Sequence, residues 1–139
     1  MSIVVPWTEI ESFSSIRKYA QAYPEIVNGK PVTYNSKIKL HGTNAAIQTG
    51  PNPVAQSRTT ILKPGSDNAG FAAWVESTKD YWSGINEDWV VFGEWCGPGI
   101  QKSVAISEIP NKIFAVFAMR QIDSEKDRLI VDPEDLKTM

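Results

Sequence analysis

A lysine amine attacks phosphorus or carbonyl carbon once it has lost its proton. The run Lys37-Ile-Lys-Leu-His-Gly-Thr-Asn44 holds two lysines, the single histidine of the chain, a glycine and two small polar residues. A free lysine has a pKa near 10.4, so at neutral pH only about one in a thousand is unprotonated. A catalytic lysine therefore needs burial or neighbouring cations. Lys37 and Lys39 stand two apart in an extended-looking run, which places them on one face of a strand. Alone, such a pair reads as two solvated lysines on an edge strand. His41 and Gly42 tilt the reading toward chemistry. The imidazole reads either as a phosphate contact or as a satisfied structural histidine, and the glycine permits a ligand to approach the backbone closely.

Glu94 is the second candidate. It lies in "WVVFGEWCGPG", whose apolar run reads as a buried strand. An unpaired carboxylate there costs several kcal/mol as an order of magnitude, so Glu94 is expected to have a partner: a cation, hydroxyls or a metal-bound ligand. Gly93 beside it is expected to leave space. The competing reading is a strand-end glutamate facing water. Arg58, at the end of "PVAQSR", has the planar fork suited to phosphate or sugar. Phe114 and Phe117 fall on opposite faces of an apolar strand. One is expected in the core and the other is free to stack on a base; the sequence leaves open which. Cys96 reads as a small buried hydrophobe rather than a nucleophile. The chain has no phosphate-binding Walker loop, no GxGxxG and no defensible Ser-His-Asp pattern.

These residues must be carried by elements. Ser12 to Tyr23 reads as a helix, with Phe13, Ile16, Ala20 and Tyr23 at helical spacing and Pro24 stopping it. "NGK" is a turn. Val32 to Leu40, Thr43 to Thr49 and Val54 to Leu62 read as three strands, the last two joined by the turn "GPNP". Ser66, Asp67 and Asn68 offer caps to a helix carrying Phe71, Trp74, Val75, Thr78 and Trp82. Trp89 to Trp95 reads as a central strand, Lys112 to Ile122 as another and Arg128 to Val131 as a further one. Asp132 and Pro133 open a last helix. The order α, βββ, α, β, β predicts an α+β domain with a mainly antiparallel sheet and flanking helices.

The 139 residues suit one domain, residues 1–139; the chain stops as a helix begins, which reads either as a natural short form or as part of a larger domain. A 42% hydrophobic composition with five tryptophans is enough for a core. A net charge of −2 gives no global basic footprint, so any polyanion must be held by a local patch. One cysteine excludes an intramolecular disulfide and a cysteine metal cluster. No apolar run reaches membrane-spanning length and the N-terminus lacks a basic signal-peptide region. The expected location is the cytoplasm, a host cytoplasm if the gene is phage-borne.

"KLHGTN", "SRTT", "FGEWCGPGIQKSV" and "KIFAVFAM" together resemble the covalent nucleotidyltransferase superfamily, and within it the RNA ligases of the phage T4 RNA ligase 2 type. The resemblance runs from about residue 30 to 120. The family's first motif, Lys-x-His-Gly-Thr-Asn, is matched by Lys39 to Asn44 at every fixed position. Lys37 does not fit, because Leu40 stands where the motif needs glycine. The resemblance implies an ATP-grasp-like nucleotidyltransferase domain, present in part, in which Lys39 takes AMP from ATP and His41 assists. It implies an AMP-binding set of Ile38, Lys39, Asn44, Arg58, Glu94 and Phe114, with Phe117 as the alternative stacking residue and Glu94 on the ribose. Magnesium (Mg2+) as cofactor and RNA as substrate follow from the same resemblance, and no protein residue is assigned as a metal ligand. Family members continue with a glutamate-bearing strand and a Lys-x-Lys strand, neither of which is found in this sequence. The alternative reading is therefore a non-catalytic nucleotide-binding fragment, or half of a split ligase completed by a C-terminal chain.

Overall fold

The computed structural model describes residues 3–31, 36–85, 88–122 and 127–138. The chain divides into two compact units, Thr8–Lys39 and Met1–Trp7 with Leu40–Met139. The smaller unit carries α1 (Phe13–Ala22) and α2 (Pro24–Val27). Ser12 caps α1 by accepting the Ser15 N–H at 3.2 Å. Proline lacks an N–H and fits a first helical turn, so Pro24 both ends α1 and opens α2. Asn28 (φ 48°) and Gly29 (φ 66°) then turn the chain through left-handed backbone, which is the expected "NGK" turn. The strand expected at Val32 to Leu40 is only partly open to comparison, because residues 32–35 lie outside the described set. Ser36 to Leu40 has no strand structure. The pattern suggested a strand, but the first ladder partner appears only at Thr43.

The larger unit is built on five antiparallel strands: β1 (Thr43–Gln48), β2 (Val54–Gln56), β3 (Trp89–Cys96), β4 (Ile113–Ile122) and β5 (Asp127–Ile130). Their order across the sheet is β2-β1-β3-β4-β5. The α+β class and the mainly antiparallel sheet are as the sequence predicts. β3 is central, as its near-continuous apolar run requires. β2 is shorter than expected because Ser57 to Thr60 turns the chain back, with Ser57 N–H on Thr60 O at 2.8 Å. The expected single helix to Trp82 is two, α3 (Phe71–Ser77) and α4 (Lys79–Ser83). The Thr78 hydroxyl donates to the Trp74 carbonyl at 2.9 Å at the junction, the kind of local bond that competes with the helical ladder. Asp67 supplies the expected cap, its carboxylate accepting the Ala72 N–H at 2.7 Å and the Ala73 N–H at 3.1 Å. α5 (Pro133–Thr138) follows Asp132, which accepts the Glu134 N–H at 2.8 Å.

The sheet has two different faces. On one, α3 and α4 bury Phe71, Ala72, Val75 and Trp82 against Ala45, Ile47, Trp89, Val91, Trp95, Met119 and Ile130. Each buried Val, Ile, Phe or Met among them contributes roughly 1.5–3 kcal/mol by leaving water. On the other, Ala46, Val90, Phe92 and Ala118 pack beneath Val5 and Trp7 of the N-terminal segment, with Phe117 beside them. The register shifts between Phe92 and Gly93: Phe92 faces Ala118, whereas Gly93 faces Val116. Phe117 is thus the extra residue of a β-bulge, a feature that re-aims side chains.

Candidate functional site

β1 and β3 pair so that Asn44 faces Glu94, and Thr43 faces Trp95. Paired residues share a face and successive ones alternate, so Asn44 and Glu94 lie on the face that carries Phe92 and Phe117. Glu94 is half-buried. Its Oε1 accepts the backbone N–H of Gly42 at 3.0 Å. The partner this carboxylate has in the protein is a main-chain amide, not the cation, hydroxyl or metal-bound ligand expected; the charge-assisted hydrogen bond comes from the segment that carries the HGTN residues. The Gly42 carbonyl in turn accepts from Gln101 Nε2 at 3.1 Å, so the peptide units on both sides of the glycine are pinned. A Cβ at Gly42 would overlap the Trp95 carbonyl oxygen and come to 2.6 Å from Cys96 Cβ. Only glycine lets this loop lie so close to β3.

Thr43 is held as well, its Oγ1 accepting from Asn68 Nδ2 at 2.9 Å. His41 is exposed and follows directly on Leu40, where the larger unit resumes. Lys39 is the last residue of the smaller unit and its side chain is exposed. Ile38, at 90% exposure, also belongs to that unit. Arg58 stands exposed in the Ser57–Thr60 turn, and among the described residues no hydrogen bond or ion pair ties it to Glu94 or Gly42. The structure thus brings Asn44, Glu94 and Gly42 together.

The two phenylalanines separate cleanly. Phe114 pairs with Trp95 and packs against Phe71, Trp74 and Trp82 on the helix-covered face. That is the face opposite Glu94. Gly93 does not leave ligand space either: a Cβ there would strike the Phe114 ring. Phe117 is on the face of Glu94. Cys96 is buried, and burial first, the Glu94 charge second, pushes its thiol up from the ordinary range. That keeps it a thiol rather than a nucleophilic thiolate. Gln101 was missed as a site residue, although it stands inside the quoted "GPGIQK". Glutamine carries no chemical signal of its own, and only its hydrogen bond shows its part.

A family model described as RNA ligase matches residues 35–139. The chain belongs to the RNA ligase family. Its general function is accordingly that of an RNA ligase or nucleotidyltransferase, and RNA is the substrate class that membership in the RNA ligase family implies. No curated protein matches the sequence. RNA ligases generally use ATP and a divalent metal. Among the described residues no three of His, Cys, Asp and Glu converge as a metal cage. Magnesium usually takes only one or two carboxylates and completes its shell with water and substrate phosphates. The described residues do not make a closed protein site for it. Among them, no helix is long and apolar enough to cross a membrane.

Proposed function

We propose that this RNA ligase forms a lysyl-AMP at Lys39 and passes the AMP to an RNA 5′-phosphate. The Lys39 Nζ attacks the α-phosphorus of ATP; a P–N bond forms, the bond to pyrophosphate breaks and Nζ gives up a proton. A 5′-phosphate oxygen of RNA then displaces Lys39, and a 3′-hydroxyl finally displaces AMP to seal the strand. His41 assists departure of pyrophosphate. A carboxylate offers about four acceptor positions, so Glu94 can receive ribose hydroxyls while holding the Gly42 N–H. Asn44, opposite Glu94 in the ladder, contacts the sugar or phosphate. Ile38 and Arg58 complete the AMP set, Arg58 reaching it from its turn. Phe117, on the face of Glu94, stacks on the base, and Phe114 serves the core. The protein's contribution is positioning and electrostatic stabilisation.

The observation that carries this reading is the 3.0 Å hydrogen bond from Gly42 to Glu94. It joins the Lys-x-His-Gly-Thr-Asn segment to the strand that carries Glu94 of "FGEWCGPGIQKSV", inside a match that spans both. The test is incubation with ATP and magnesium followed by intact mass. An added AMP is expected on the wild type and on Lys37→Ala, and none on Lys39→Ala. Equal labelling of both variants would sink the assignment. ATP binding without label, with label restored by an added C-terminal ligase chain, would favour the split-enzyme alternative.

A further inference from the structure

The segment Ile3–Trp7 belongs to no helix or strand, yet it is fastened to the sheet. Gln56, 1% exposed at the end of β2, receives the Val5 N–H on Oε1 at 3.1 Å and donates Nε2 to the Val5 carbonyl at 2.7 Å. A side-chain amide thus takes both main-chain groups of Val5, as a neighbouring strand would. Gln48 Nε2 adds a bond to the Ile3 carbonyl at 2.7 Å and another to Gln56 Oε1 at 2.8 Å. Two residues beyond Val5, the Trp7 ring rests 5.0 Å from the Phe92 ring and 5.3 Å from Phe117, edge-on to the latter at 70°. The buried indole N–H has no hydrogen-bond partner among the described residues. Trp7 is held by packing and by the backbone anchor behind it, not by a polar bond of its own. Phe117 is the bulge residue, outside the regular ladder, and packs against this ring.

We propose that Ile3–Trp7 is a strap that sets the Phe117 ring for stacking, which makes Trp7 a positioning residue for the nucleotide base. The proposal rests on the nucleotide-binding reading above. Trp7 touches no substrate. It acts through Phe117, so its loss weakens what the base contributes to binding and spares what the phosphates contribute.

The experiment is calorimetric binding of ATP and of inorganic triphosphate to the full chain and to Trp7→Ala, Trp7→Phe and Val5→Pro. Val5→Pro deletes the N–H that Gln56 receives without altering Trp7 or Phe117. Trp7→Ala is expected to weaken ATP binding by about tenfold, the scale of a lost aromatic pair. Triphosphate binding should stay within about twofold, since a base-directed effect leaves phosphate contacts in place. Trp7→Phe should recover most of the loss, and Val5→Pro should show the same asymmetry even if Trp7→Ala does not fold. Equal losses for both ligands would mean a purely structural role and overturn the strap. An unchanged ATP affinity in Trp7→Ala, or in Val5→Pro where Trp7→Ala does not fold, would overturn it while leaving the nucleotide reading intact. A wild type that binds triphosphate as well as ATP overturns it too, because the base is then not held. A wild type that binds neither removes the nucleotide reading and the strap's purpose together.

Discussion

Gly42 is the residue on which the site geometry turns. Its N–H is taken by Glu94, its carbonyl by Gln101, and the place of its missing side chain by the Trp95 carbonyl and Cys96. Both obstacles belong to the central strand, so neither can move aside as the tip of a long side chain would. Gly42→Ala is expected to destabilise the fold by about 1–3 kcal/mol, the scale of overpacking, read as a lower urea midpoint with an unchanged slope. Adenylylation should fall further than stability alone explains, because the motif segment is displaced from Glu94.

β4 divides its labour among its residues. Phe114 supports the helix-covered core and Phe117, set by the bulge, belongs to the face of Glu94. Phe114→Ala should therefore cost stability, about 2–3 kcal/mol for a half-buried ring against roughly 3–5 for a fully buried one, with the affinity for ATP of the folded fraction little changed. Phe117→Ala should do the reverse, and thermal melts paired with calorimetry separate the two. At the other end of the β4–β5 hairpin, Arg120 binds Asp127 through two hydrogen bonds of 2.8 and 2.7 Å. The Arg120 hydrogen bond holds the Asp127 carboxyl below its ordinary range, its charge adding to the effect. A depressed folded-state pKa gives support that is present above the unfolded value near 3.9 and is lost as pH falls through the lower folded value. Hydrogen exchange in β5, corrected for its intrinsic pH dependence, should accelerate only on acidification below that ordinary carboxylate range. Asp127→Asn should show no such step.

The whole molecule is faintly acidic, at −2. An RNA ligase of this charge cannot rely on a general field to gather its substrate, so the backbone must be met by a few placed cations. RNA affinity should then show a shallow salt dependence, with log K falling by about 0.7 per log unit of salt for each phosphate contacted on a single strand. Arg58 is exposed on its turn and unpaired with any acidic side chain among the described residues. Arg58→Ala should reduce that slope by about one contact, 0.7, measured by titration at several salt concentrations. A slope unaltered by the substitution would remove Arg58 from the RNA path.

Much of the molecule follows from local pattern. The spacing of Phe71, Val75 and Trp82, the apolar run of β3 and the fixed positions of Lys39 to Asn44 are properties of neighbouring residues. They were sufficient for the α+β class, the central strand and the family. Val32 to Leu40 shows the limit, since extended-looking residues make a strand only where a partner strand lies alongside, and among the described residues none does so at Ser36 to Leu40. The rest depended on groups far apart in the chain. That Glu94 answers to a backbone amide 52 residues away, that Gly93 makes room for Phe114 rather than a ligand, and that Gln56 fastens Val5 are all contacts between distant segments. Phe117 is the plainest case. Strand alternation separates it from Phe114 but does not say which of them shares a face with Glu94. That was settled by the pairing of β4 with β3 and by the bulge at Phe117, which a pattern of neighbouring residues does not reveal.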